Sequence, residues 1–115
     1  MNPPWFTADA TALAQHIARG ECSASEALER TLVDIEAPNK TLNAVCLLRP
    51  DVARRTAAAR DAELAACKTD AERAHLLRRK PFFGVPLLLK DVGPATAHPD
   101  LPSRMGSRVF GEQGL

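Results

Sequence analysis

The sequence lacks tyrosine altogether, and aromatic side chains of every kind make up only 4% of its 115 residues. It also lacks an excess of one charge, because 15 Lys and Arg are matched by 14 Asp and Glu, which leaves a net charge of +1. Proteins that bind nucleic acids or acidic membranes use basic surfaces, and those that bind single strands add aromatic stacking. We therefore expect neither a nucleic acid nor a membrane among the direct partners.

Long apolar runs are also absent. No stretch could span a bilayer, and the first residues, Met-Asn-Pro-Pro-Trp-Phe, lack the basic patch and apolar segment of a signal peptide. Apolar residues (45%) and charged residues (25%) are close to the average of globular proteins, so one modest hydrophobic core is expected. We interpret the chain as cytoplasmic.

Cysteine is sparse and widely spaced, with no pairing typical of a zinc site or a redox motif. The residues are Cys22, Cys46 and Cys67. We predict free, buried thiols, because no spacing links a cysteine to a histidine that could act as its base. The available histidines are His16, His75 and His98. No metal-ligand group or phosphate-binding glycine loop is present, so the predicted chemistry needs no cofactor.

Helical periodicity dominates the first third of the chain, over residues 7–36. Apolar positions recur every three or four residues from Thr7 to Arg19, and Gly20 should end this first helix. Ser23 and Glu26 have the spacing of a capping box, which predicts that a second helix begins there. Pro38 should end it.

A second helical region is predicted over residues 50–67, where Pro50 and many alanines favour a helix. A polar stretch at 68–70 should interrupt it, and residues 71–79 can form a further short helix before Pro81. Arg78, Arg79 and Lys80 form a basic cluster, which we interpret as a solvated helix end.

Two short apolar runs, at residues 44–48 and 85–89, have the length of buried strands. Strands that are apolar on both faces are typical of a mostly parallel sheet between helical layers. This pattern predicts an α/β fold whose core is incomplete with only two strands. Beyond Val92 the many glycines and prolines predict loops.

Lys90 follows the second apolar run. Burial at that position would disfavour the ammonium form and make the lysine a usable base. The alternative is an ordinary lysine at a strand end, with its stem on apolar neighbours and its ammonium group in water or paired with Asp91. Physical chemistry alone favours the alternative.

The stretch Pro81 to Asp91, PFFGVPLLLKD, resembles the amidase signature family. In that family a Gly-Val-Pro turn leads into a hydrophobic strand that ends in the catalytic lysine and an aspartate. The upstream stretch Ala18 to Ala24 and the Leu-Asn-Ala step at 42–44 are similar to the family's first helices and first strand. The stretches 101–103 and 105–108 are similar to the segment after its lysine.

The resemblance implies an α/β/α sandwich, of which residues 1–115 would be the N-terminal part. It also implies amide hydrolysis by two serines and a lysine, with Lys90 as the general base and Asp91 as a structural residue or a modulator of the lysine. Substrates would be small amides, and a homodimer of a longer form is left open. The family's serines lie in glycine- and serine-rich segments after the lysine. Ser103 and Ser107 lack the flanking glycines expected there.

We therefore expect this stretch of sequence to be inactive alone. Two alternatives are left open. One is a non-catalytic module whose helices over 7–36 and 50–67 offer an apolar face to another protein. The other is a subunit of a glutamine-dependent tRNA amidotransferase, which would keep the same lysine chemistry and add partner subunits.

Overall fold

The computed structural model describes residues 1–92 and 99–110. Four helices form the described part of the chain, with short 3-10 helices at Pro4–Thr7 and Arg108–Phe110: α1 (Ala10–Ala18), α2 (Ala24–Leu42), α3 (Pro50–Ala65) and α4 (Asp70–Arg79). Across these residues there is no β-sheet. None of the described helices is long and apolar enough to cross a membrane.

Helix α1 begins and ends where local chemistry dictates. Asp9 caps its N-terminus by accepting a hydrogen bond from the Ala12 N–H at 2.8 Å. At the other end Gly20 has φ +75, and the Glu21 N–H reaches back to the His16 carbonyl at 3.0 Å. This is a Schellman ending, in which glycine adopts the left-handed conformation without a steric cost. The predicted stop at Gly20 is confirmed.

Helix α2 begins with the predicted capping box, in which Ser23 and Glu26 satisfy each other's backbone N–H groups. The predicted end before Pro38 is wrong, since the helix continues to Leu42. The last turn is secured by the Asn39 side chain, which bonds both the N–H and the carbonyl of Val45 at 2.8 and 3.0 Å. These bonds help to offset the backbone hydrogen bond that proline cannot donate.

Helices α2 and α3 pack side by side, and Asp61 of α3 ties them together. Its carboxylate accepts bonds from the N–H groups of Ala24 and Ser25 at 2.7 and 3.2 Å and from the Ser25 hydroxyl at 2.6 Å. These N–H groups belong to the first turn of α2 and have no partner within the helix. The negative charge also lies at the positive end of the α2 dipole.

Helix α4 packs against α1 and begins with a second capping box, formed by Thr69 and Glu72.

The hydrophobic core is small and lies in two clusters. One lies between α1 and α4 and is built on Ile17, Cys22, Ala27, Leu76 and Phe83. The other lies between α2 and α3 and is built on Ala24, Leu28 and Ala57. The apolar faces of the helices are therefore partly covered by neighbouring helices, while Val33 and Leu42 of α2 stay exposed.

The predicted strands at 44–48 and 85–89 are wrong, and with them the α/β fold class. A strand requires a non-local partner for its backbone N–H and carbonyl groups, and neither segment has a ladder within the described residues. Their side chains are largely exposed, including Leu47, Leu48 and residues 87–89. An apolar run of this length therefore did not identify a strand.

Candidate active site around Lys90

The segment that carries Lys90 is anchored where it leaves the helical core. Phe83 is buried, and the next residue, Gly84, adopts φ +75. A Cβ atom at Gly84 would lie 3.2 Å from Ala24 Cβ and 3.2 Å from both Ile17 Cδ1 and Cγ2. Only glycine allows this conformation together with this close approach. The Gly-Val-Pro step is therefore fixed against α1 and α2.

Beyond Gly84 the chain runs out over an exposed apolar stretch. Leu87, Leu88 and Leu89 are exposed to 79%, 56% and 55%, and Lys90 is exposed as well. The burial that would disfavour the lysine's ammonium form is thus not provided by the described residues. Within the described part of the chain, the Lys90 side chain is instead exposed.

Asp91 is the most extensively bonded residue of this region. Its Oδ1 accepts bonds from the Ser103 hydroxyl at 2.6 Å and from the N–H groups of Arg104 and Met105 at 3.0 and 3.2 Å. Its Oδ2 accepts a bond from the Gly106 N–H at 3.4 Å. The Ser103 bond, together with the backbone bonds, holds the pKa of Asp91 below its ordinary value, because hydrogen bonds to the ionised form favour it.

Three consecutive N–H groups, at residues 104–106, form a nest for the Asp91 carboxylate. Met105 has φ +50 and Gly106 has φ +69, and this left-handed backbone turns the N–H groups toward one anion. This nest was not predicted from the sequence, because the stretches around Ser103 and Ser107 lack the flanking glycines expected of an oxyanion nest. Gly106 after Met105 was the available signal.

Of the two serines in this region, Ser103 is not presented as a nucleophile. Ser103 is only 2% exposed, and its hydroxyl proton is donated to Asp91. The Ser107 hydroxyl oxygen accepts a bond from the Val109 N–H at 3.2 Å. Ser103 is therefore a structural partner of Asp91. Its sequence neighbourhood also lacks the glycines expected beside the family's serines.

The cysteines do not form an alternative nucleophilic site. All three are free thiols, and burial raises the pKa of Cys22 to about 11, which disfavours its thiolate. The predicted burial is wrong for Cys46, which is exposed, and Cys67 is half-buried. His16 pairs with Glu21, and His98 lies outside the described residues.

Within the described residues, two open surface grooves lie away from Lys90. One is lined by residues of α2 and the start of α3, and the other lies between Trp5, Phe6 and the first turns of α2. Neither groove is lined by Lys90 or Asp91. Among the described residues no group of three metal-ligating side chains occurs.

Comparison with known proteins identifies two related enzymes. Over 84 residues, 73% of the chain, the sequence is 38% identical to the 6-aminohexanoate-cyclic-dimer hydrolase of Pseudomonas sp. (strain NK87), and the enzyme of the same name from Paenarthrobacter ureafaciens matches equally. The chain spans 13% of the length of each relative. No family model matches, and no solved structure matches. The chain is thus related to hydrolases, and the relationship is amidase-like.

Proposed function

We propose that this chain carries the general base, Lys90, of an amidase that works through two serines and a lysine. The observation that carries the proposal is the stretch PFFGVPLLLKD, found in a chain that is 38% identical over 84 residues to amide hydrolases. The arrangement of the segment supports it. Gly84 fixes where the segment leaves the core, and Lys90 stands exposed at its far end.

In the proposed reaction the oxygen of one serine attacks the amide carbonyl carbon. The proton of that serine passes to the second serine, whose own proton passes to the neutral amine of Lys90. The tetrahedral intermediate collapses, the C–N bond breaks, and the leaving amine takes the proton back. Water then attacks the ester that remains, and the acid is released with the serine restored. Lys90 accepts and returns one proton in each half of the cycle.

The proposal needs two serines that Ser103 and Ser107 do not provide, and a longer polypeptide would supply them. It also needs a dry environment, because only a neutral lysine can accept a proton. The exposed Leu87, Leu88 and Leu89 are the apolar surface that such a polypeptide would cover. Covering this surface would bring Lys90 into a water-excluded site.

The test uses protein expressed from the complete reading frame, with hydrolysis of the cyclic dimer of 6-aminohexanoate and of simple linear amides as the readout. Lys90→Ala should lower kcat on the order of a hundredfold or more, since it removes a general base. Lys90→Arg should be equally poor, because a guanidinium does not give up its proton. The matched control is Lys40→Ala, at a lysine that is 75% exposed on α2.

Full amide hydrolysis by Lys90→Ala would show that Lys90 is not the base. A wild-type protein that hydrolyses none of these amides would count against the reaction class itself. The Lys40→Ala control should match the wild type in both kcat and KM.

A further inference from the structure

Asp91 directly follows Lys90, and its carboxylate bonds the turn at residues 103–106. We propose that Asp91 is a positioning residue, which holds the Lys90 amine in place by fixing the backbone on its C-terminal side to the turn at 103–106. This inference rests on the proposed function of Lys90. It assigns to Asp91 and Ser103 a role in the rate of the reaction without contact with the substrate.

The first argument is the number and placement of the bonds. One carboxylate receives four hydrogen bonds, at 2.6, 3.0, 3.2 and 3.4 Å, from residues 12 to 15 positions further along the chain. Bonds to an ionised acceptor are shorter and stronger than those between neutral groups. Three of them end on Oδ1 and one on Oδ2, so both oxygens are engaged and the carboxylate has little freedom to rotate. Asp91 is therefore fixed in both position and orientation.

The second argument is the coupling between Asp91 and Lys90. The Val92 N–H bonds the Lys90 carbonyl at 2.9 Å, which closes a three-residue turn with Asp91 at its centre. Neighbouring Cα atoms lie about 3.8 Å apart across a trans peptide, so a fixed Asp91 restrains where the Cα of Lys90 can lie. Release of the carboxylate would free this turn.

The third argument is the lack of other restraint nearby. Between Gly84, which is packed against α1 and α2, and Asp91, the side chains of residues 87–90 are exposed. Exposed segments with few packed contacts are the first to move. Within the described residues this segment is thus held at its two ends, and Asp91 is the end next to the lysine.

Ser103 completes the arrangement. Its side chain is buried to all but 2%, and its hydroxyl makes the shortest of the four bonds. Loss of this hydroxyl would leave the three backbone N–H groups to hold the carboxylate. Ser103→Ala is therefore a partial version of the change made by Asp91→Ala.

The experiment measures amide hydrolysis by the protein from the complete reading frame. Asp91→Ala should lower kcat on the order of a hundredfold, the size of effect expected for a small misplacement of a catalytic group, with KM nearly unchanged. Ser103→Ala should give a smaller loss. Asp91→Asn should fall between, because its amide oxygen still accepts bonds from the nest. Asp34→Asn, at an exposed carboxylate on α2, is the matched control.

Chemical rescue separates positioning from general damage to the fold. Formate can enter the nest at 104–106 in Asp91→Ala and receive the same N–H bonds. Because formate is not covalently joined to residue 91, it cannot restrain Lys90, and kcat should stay low. The melting temperature of Asp91→Ala should recover with formate while kcat does not. A recovery of kcat together with the melting temperature would overturn the inference, because filling the nest would then be sufficient.

Wild-type kcat in Asp91→Ala would also overturn it, provided that Lys90→Ala is inactive. If Lys90→Ala is fully active, the proposed function fails first and the positioning role fails with it. The two failures are distinguishable because the first is read from Lys90→Ala alone. A loss of kcat in Asp91→Ala that persists with formate, beside an inactive Lys90→Ala, supports both.

Discussion

Replacing Gly84 with alanine tests whether the start of the lysine segment is fixed as the structure shows. The added Cβ would lie 3.2 Å from Ala24 Cβ and from two carbons of Ile17, whereas carbon atoms prefer separations of about 3.5–4.0 Å. Alanine at φ +75 also adopts the left-handed backbone, at a cost of about 1–2 kcal/mol. Overpacking of a buried contact typically adds about 1–3 kcal/mol.

Gly20 provides a matched control, since it has the same φ of +75 but no atom within 4 Å of its added Cβ. Gly20→Ala should therefore lower the free energy of unfolding by about 1–2 kcal/mol, from backbone strain alone. Gly84→Ala should lower it by about 2–5 kcal/mol, because overpacking is added to that strain. Both free energies are measured by urea denaturation followed by circular dichroism.

The difference between the two variants isolates the contact with α1 and α2. Equal losses for Gly84→Ala and Gly20→Ala would refute the reasoning, because the close approach would then cost nothing. The difference should shrink in Gly84→Ala combined with Ile17→Val, which removes the Cδ1 carbon from the crowded side. A loss of hydrolysis in Gly84→Ala would link this anchor to Lys90.

Two further predictions concern carboxylates that hold the fold together. Asp61→Ala should lower the free energy of unfolding, measured by urea denaturation, by about 2–3 kcal/mol, because the α2 N–H groups lose a charged acceptor. Asp34→Ala, at an exposed ion pair, should lower it by less than about 1 kcal/mol. Because the folded-state pKa of Asp91 is depressed, its contribution to stability is present above the ordinary value of 3.8 and is lost as the pH falls through the lower folded value. An acid titration of the amide protons at 104–106 should show this midpoint, Ser103→Ala should raise it, and a midpoint at or above 3.8 would contradict the bonding pattern.

Local chemistry was readable from the sequence. The end of α1 at Gly20 and the capping box of Ser23 and Glu26 depend on residues within a few positions of each other, and both were predicted. Thr69 followed by Glu72 is the same kind of signal, and it begins α4. Patterns of this kind carry their own explanation, because the partners of each backbone group lie in the same short stretch.

Features that depend on distant residues were predicted poorly. The extension of α2 past Pro38 is helped by Asn39 and Val45, whose bonds no helix rule anticipates. The two apolar runs were interpreted as strands, although a strand is stable only with a partner that the pattern of one segment does not reveal. The nest around Asp91 joins residues 12 to 15 positions apart and depends on the left-handed backbone of Met105.

In the proposed function Lys90 acts as a base, and a base of this kind must be both placed and dehydrated. Gly84 and Asp91 restrain the two ends of the segment by steric contact and by hydrogen bonds, neither of which involves the lysine's side chain. Dehydration requires apolar cover, and we propose that the exposed leucines before Lys90 are the surface that such cover would contact. Mutations at Gly84 or Asp91 should therefore change the rate through position, whereas polar substitutions of the exposed leucines should change it through the protonation of Lys90 and shift the pH profile of kcat.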